Sequence, residues 1–238
     1  SVGGNGAFSA SGVSTDAGNF TLDGSTSTSS QVTVMALTAE KATISLGGGS
    51  GYLTLTSSEI GGNVVIDGSN NSGTMNMVMM SASGNVTVST GTLGHFSAQD
   101  VRVGKDMTIN AAAAGSASIT LSAFTGTQSL TVAGGNGSGT ILISQADVNK
   151  NFILDAANSE AEVRITSLSA SAAVTVSLGG TGGFSAQAIL SAESTVMDFT
   201  TMVSSASVNI TEFSAGSLAV TLGSHSGDFS ANAIDTKA

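Results

Sequence analysis

An all-β chain wound as a parallel β-solenoid is the fold this sequence predicts, and three observations carry it. The first is recurrence. AFSASGV at 7–13, HFSAQDV at 95–101, GFSAQAI at 183–189 and DFSANAI at 228–234 set Phe8, Phe96, Phe184 and Phe229 at intervals of 88, 88 and 45 residues, a step close to 44. The second is that each step halves. Writing φ for an apolar residue, φxφxxφ recurs at Phe8/Ala10/Val13, Val32/Val34/Leu37, Met75/Met77/Met80, Phe96/Ala98/Val101 and Ile119/Leu121/Phe124, then at Val163, Phe184, Val208 and Phe229, a mean step of about 22 residues. The third is the absence of proline from all 238 residues, since every interior strand of a stacked rod needs its backbone N–H.

Taken in order, each φxφxxφ strand is followed by a second short alternating strand: FTLDG at 20–24, ISLGG at 44–48, VIDG at 65–68, VTVST at 86–90, MTINA at 107–111, then LTVAGG, FILDAA, VTVSLGG and VTLG. Period-two alternation of mostly β-branched residues is a strand signal with one face inward. GSTSTSS, GSNNSG and GGNGSG separate them as turns. Twenty-two residues with two or three short strands make one solenoid turn, so about eleven coils, paired into 44-residue repeats, would form a rod roughly 50 Å long at about 4.8 Å per coil. Phenylalanines would fall on alternate coils of one column, and glycines ahead of the FSA strands would supply positive φ at a corner. The whole of 1–238 reads as a single repeat domain. Its opening SVGG matches SLGG at 177–180, which suggests a segment of a longer array or a chain processed at both ends. The competing architecture is an antiparallel β-sandwich or meander.

Composition narrows the function classes. Sixteen acidic against six basic residues give a net charge of −10, and the basic residues are scattered, which argues against nucleic acid as a partner. Only 9% of the chain is charged, against 40% hydrophobic, so the surface is built from Ser, Thr, Asn, Gly and Ala. No cysteine is present for disulfides or thiolate metal sites. No run of about 18 apolar residues is present for membrane insertion as a helix.

Asp23, Asp67, Asn110 and Asp155 each follow a φxφ strand at one turn position. They are the metal candidates, for calcium, because hard cations take carboxylate and carbonyl oxygens in glycine-rich turns. The competing role is an Asx-turn, in which the side chain accepts from the backbone two residues on. His95 and His225 sit in approaches to FSA strands and read as surface turn residues. Asp100, Arg102, Lys105 and Asp106 form the one dense charge cluster and read as a local ion network rather than a catalytic wall. Met75, Met77, Met79 and Met80 read as adaptable core filling. Outward threonines, among them Thr21, Thr33, Thr87, Thr108, Thr120, Thr131, Thr175 and Thr221, read as single hydroxyl arrays. Serine is too abundant to mark a nucleophile, and no catalytic residues or cofactor-binding residues are assigned. The protein is not expected to be an enzyme.

The VTV/LTV strands, the glycine-rich turns typified by SLTVAGGNGSGTILIS at 129–144, the low charge and the lack of cysteine and proline resemble repetitive bacterial surface proteins of the S-layer, adhesin-stalk and extracellular filament type. That resemblance implies a secreted structural protein at the bacterial cell surface. It would self-associate head to tail or laterally through its solenoid edges, with cell-surface polysaccharide as a further partner. The alternative it implies is an adhesin stalk or a carbohydrate- or ice-binding solenoid without catalysis. The GGxGxD calcium repeat of such proteins is absent here.

Overall fold

A computed structural model of the chain describes residues 5–15, 17–29, 31–111, 115–116, 118–203, 206–223 and 227–236. The SVGG match at 1–4 and His225 lie outside them. The fold is a parallel β-solenoid of about ten turns built from two sheets. The larger sheet stacks, rung upon rung, β1 (Ala7–Ser11), β3 (Gln31–Met35), β6 (Tyr52–Ile60), β8 (Thr74–Ala82), β10 (His95–Val103), β12 (Ser118–Gly126), β14 (Thr140–Val148), β16 (Glu162–Ile165), β19 (Phe184–Ser191), β21 (Val208–Ala215) and β23 (Phe229–Thr236). Two short pieces, β4 (Thr38–Ala39) and β17 (Leu168–Ala170), continue β3 and β16 beyond a break. The second sheet stacks β2 (Asn19–Gly24), β5 (Lys41–Leu46), β7 (Val64–Gly68), β9 (Val86–Thr90), β11 (Met107–Asn110), β13 (Leu130–Ala133), β15 (Phe152–Ala156), β18 (Val174–Gly180), β20 (Ser194–Met202) and β22 (Ser217–Leu222). Neighbouring rungs pair in parallel, which rules out the antiparallel sandwich.

The φxφxxφ spacing is the physical origin of the coil. In β10 the inward residues are Phe96, Ala98, Val101 and Val103, while Gln99 and Asp100 both face outward. Two successive outward residues are incompatible with a straight strand. A left-handed residue at the second of them turns the chain, and the same rung position does so on every rung except that of β16 and β17: Gly12, Ala36, Ser57, Met79, Asp100, Ala123, Gln145, Ala188, Glu212 and Ala233 all have φ between +51° and +66°. The corner expected at the glycines ahead of the FSA strands is therefore carried largely by non-glycine residues inside the long strand, held there by ladder bonds on both sides. At the other corner Gly49 and Gly180 do take positive φ, +91° and +64°, and further glycines there serve close approach. A Cβ on Gly73 would lie 1.7 Å from the Gly51 carbonyl oxygen, and one on Gly182 2.0 Å from that of Ala161.

Inside, each inward position becomes a column of stacked side chains. One runs Phe8, Val32, Leu53, Met75, Phe96, Ile119, Ile141, Val163, Phe184, Val208, Phe229. Phenylalanine thus recurs on every fourth rung and then, at the end, on the second, rather than on alternate coils. Between Val32 and Val208 the column is at most 2% exposed. Met75, Met77 and Met80 belong to the core, as expected, but Met79 occupies the left-handed position and is 53% exposed. The core is almost wholly apolar. The Thr90 and Thr195 hydroxyls and the Asn71 side-chain amide nitrogen are buried without a hydrogen-bond partner.

Candidate functional site

The second sheet places the aspartate candidates as the spacing implied. Its outer column reads Asp23, Ser45, Asp67, Ser89, Asn110, Ala133, Asp155, Ser177, Asp198, Thr221. A carboxylate or amide thus stands on every second coil, the surviving trace of the 44-residue period, and Asp198 is a further member. Each aspartate closes an Asx-turn: Oδ1 accepts the N–H two residues on, from Ser25 to Asp23 at 3.0 Å, Ser69 to Asp67 at 3.0 Å, Ala157 to Asp155 at 3.3 Å and Thr200 to Asp198 at 2.9 Å. Members two coils apart are separated by about 9–10 Å. That is too far to share a cation whose ligands sit at roughly 2.3–2.6 Å. Among the described residues no group of three or more His, Asp or Glu is arranged to hold a metal.

At Asp23 and Asp198 those bonds shift the acid. The Ser25 hydroxyl and N–H hold the Asp23 carboxyl below its ordinary range, and the Thr200 N–H does the same for Asp198. A carboxylate whose acidity is raised by folding stabilises the fold above the ordinary carboxylate value, and that contribution disappears as pH falls through the depressed one. Asp198→Asn keeps the acceptor and is expected to leave the melting temperature at neutral pH nearly unchanged while flattening its decline on acidification below about pH 4. Melting curves recorded from pH 7 to pH 2 check this. An Asp198→Asn curve that declines as steeply as the parent would contradict it.

A second polar ladder was not legible in the sequence. At the turn entering the second sheet, Asn63 Oδ1 accepts the Asn85 N–H at 2.9 Å, Asn85 Oδ1 the Asp106 N–H at 3.2 Å, Asp106 Oδ1 the Ser129 N–H at 3.0 Å, and Asn151 Oδ1 the Ala173 N–H at 3.2 Å. Each side chain caps the coil above it. The dense charge cluster is thereby divided: Asp106 belongs to this ladder, whereas Asp100 and Arg102 lie back on the long strand of the other sheet. His95 is an exposed residue opening β10. Thr21, Thr87, Thr108, Thr131 and Thr175 share one outward column of the second sheet, interrupted by Val65 and Ile153, and Thr221 lies in the aspartate column. Thr33 and Thr120 sit on the larger sheet.

Asp100 and Arg102 help line a groove of about 840 Å³ along the left-handed corner. Its first wall is the corner column of Ser57, Met79, Asp100, Ala123 and Gln145, and its second the residues two positions on. Register stacks that second wall as Glu59, Ser81, Arg102, Thr125, Asp147, Ser169. Arg164–Glu162, 2.9 Å apart, is the one ion pair among the described residues, so Arg102, with Ser81 and Thr125 next to it on its wall and Glu59 and Asp147 two coils away on either side, is closed onto no carboxylate.

The chain matches no family model, no curated protein and no solved structure.

Proposed function

We propose that this chain is a non-catalytic structural protein of the bacterial cell surface that self-assembles through its solenoid edges into a filament or S-layer-like lattice. One observation carries the reading. The last described rung β23 is exposed at every residue, with Phe229 42% and Ile234 37% exposed, although Phe96 and Phe184 in the column of Phe229 are 1% and 2% exposed. Leu222 at the end of the last second-sheet strand is 42% exposed, and at the opposite end Phe8 and Phe20 are only partly buried. Such rungs offer unpaired backbone donors and acceptors together with uncovered apolar side chains. A further coil of the same kind, contributed by continuing chain or by a second copy, satisfies both, and open edges of this sort template strand addition. A heterologous contact that does not close propagates as a fibre.

Negative-stain electron microscopy at rising concentration, with calcium and with chelator, is the direct test. Fibres or sheets are expected, and Phe229→Asp, which places a charge in the joint but leaves the interior coils alone, is expected to abolish them without altering the β circular dichroism. Assembly only with calcium would give the aspartate column a cation role. Dispersed rods near 50 Å under every condition would overturn the proposal.

A further inference from the structure

From the groove along the left-handed corner we infer a binding site for an extended, uncharged, hydroxyl-rich polymer, a linear glycan lying parallel to the rod axis. Three features of the groove point there. Its dimensions are those of a ligand site: about 840 Å³, within the roughly 300–1,000 Å³ usual for such sites, and five coil spacings from Glu59 to Ser169, about 24 Å. The walls repeat at the coil spacing of about 4.8 Å, close to the advance per unit of an extended pyranose chain. The alternation of an extended peptide does not match that pitch. Each coil therefore faces about one sugar unit.

The chemistry selects the ligand's charge. Glu59, Asp100 and Asp147 are acceptors for sugar hydroxyl protons, Arg102 donates to hydroxyl and ring oxygens, and Gln145 does either. A polyanion would meet three carboxylates on a chain of net charge −10. A polycation would meet Arg102 midway along the groove, flanked on its own wall by Ser81 and Thr125 rather than by acids. A neutral polyol can pair with both signs. Met79, 53% exposed on the first wall, supplies an apolar surface for the C–H face of a sugar ring, which is where a left-handed methionine outside the core finds a use. The groove lies on the flank of the rod and leaves the ends free, so this site is independent of assembly.

Titration calorimetry with cellohexaose, chitohexaose and the corresponding trioses, alongside hexalysine and hexagalacturonate, tests it on the intact chain. A neutral hexasaccharide is expected to bind at least about tenfold more tightly than its triose and to lose about tenfold in affinity with Arg102→Ala and again with Asp147→Asn. Asp155→Asn, on the other sheet, should bind as the parent does. All three substitutions are at exposed sites, and unchanged circular dichroism separates lost binding from lost fold. Absence of binding by both neutral hexasaccharides, binding indifferent to Arg102 and Asp147, or preferential binding of hexalysine or hexagalacturonate would each overturn the assignment. None of these outcomes bears on the end-to-end contact.

Discussion

Phe96→Ala is expected to destabilise the chain by about 3–5 kcal/mol, whereas Phe229→Ala, the same change in the same column, is expected to cost only a small part of that in the dispersed protein. Phe96 is 1% exposed, stacked between Met75 and Ile119 in the rungs on either side. Removing its ring forfeits the transfer free energy and leaves a cavity that ladder-bonded neighbours cannot collapse. Phe229, 42% exposed, has Val208 beneath it and no rung above among the described residues. Denaturant midpoints at constant slope measure the difference. The pair also reports on assembly: once ends are joined, Phe229 becomes an interior residue, and Phe229→Ala should then lower the thermal stability of fibres far more than that of single rods. Equal losses for the two substitutions in dispersed protein would mean that the ends are already covered.

The rungs were legible because the inward residues obey a pattern that survives substitution. Phe8, Val32, Met75 and Ile119 differ in shape but not in position, so counting from one to the next gives the register of the larger sheet. One second-sheet strand, β20, escaped the same reading, and the reason is local. Thr195 points inward in the column of Val174 and Leu218 while Val196 points out, so the polar and apolar members are exchanged and the alternation vanishes. The turn asparagines hid their role differently. Asn63 and Asn85 look like ordinary turn residues until the stacking sets each side chain under the backbone of the next coil, a relation 22 residues long that the local turn signal does not contain.

The groove lay further out of reach. Glu59, Arg102 and Asp147 are 43 and 45 residues apart, and they align only because rungs insert or drop a residue at the corners while keeping the long strands in register. The bend that makes the wall concave comes from backbone φ at Met79, Ala123 or Gln145 as well as Asp100, and the first three are residue types that do not announce a left-handed conformation as glycine or asparagine would. In the sequence Asp100 and Arg102 stand with Lys105 and Asp106. In the fold the pair and its neighbours serve different structures.

A proline in the middle of the stack should have a larger reach than a lost core residue. Thr131 lies in β13, paired with Thr108 of β11 on one side and Ile153 of β15 on the other, and its side chain faces outward. Thr131→Pro therefore removes no core volume. It deletes one ladder N–H, leaves the opposing carbonyl unpaired at a cost of about 1–3 kcal/mol, and sets the pyrrolidine ring against a neighbouring rung. Each rung contacts only its neighbours, so the interface between two halves of the rod is weakened while each half keeps its own contacts. Unfolding by denaturant is expected to lose cooperativity, separating into two transitions, with new proteolytic cleavage near residues 127–137. Thr131→Val, equally outward and β-branched, should unfold like the parent. A single transition for Thr131→Pro, merely shifted to lower denaturant, would show that the coils are coupled over many rungs and that stability here is a property of the whole rod rather than of adjacent pairs.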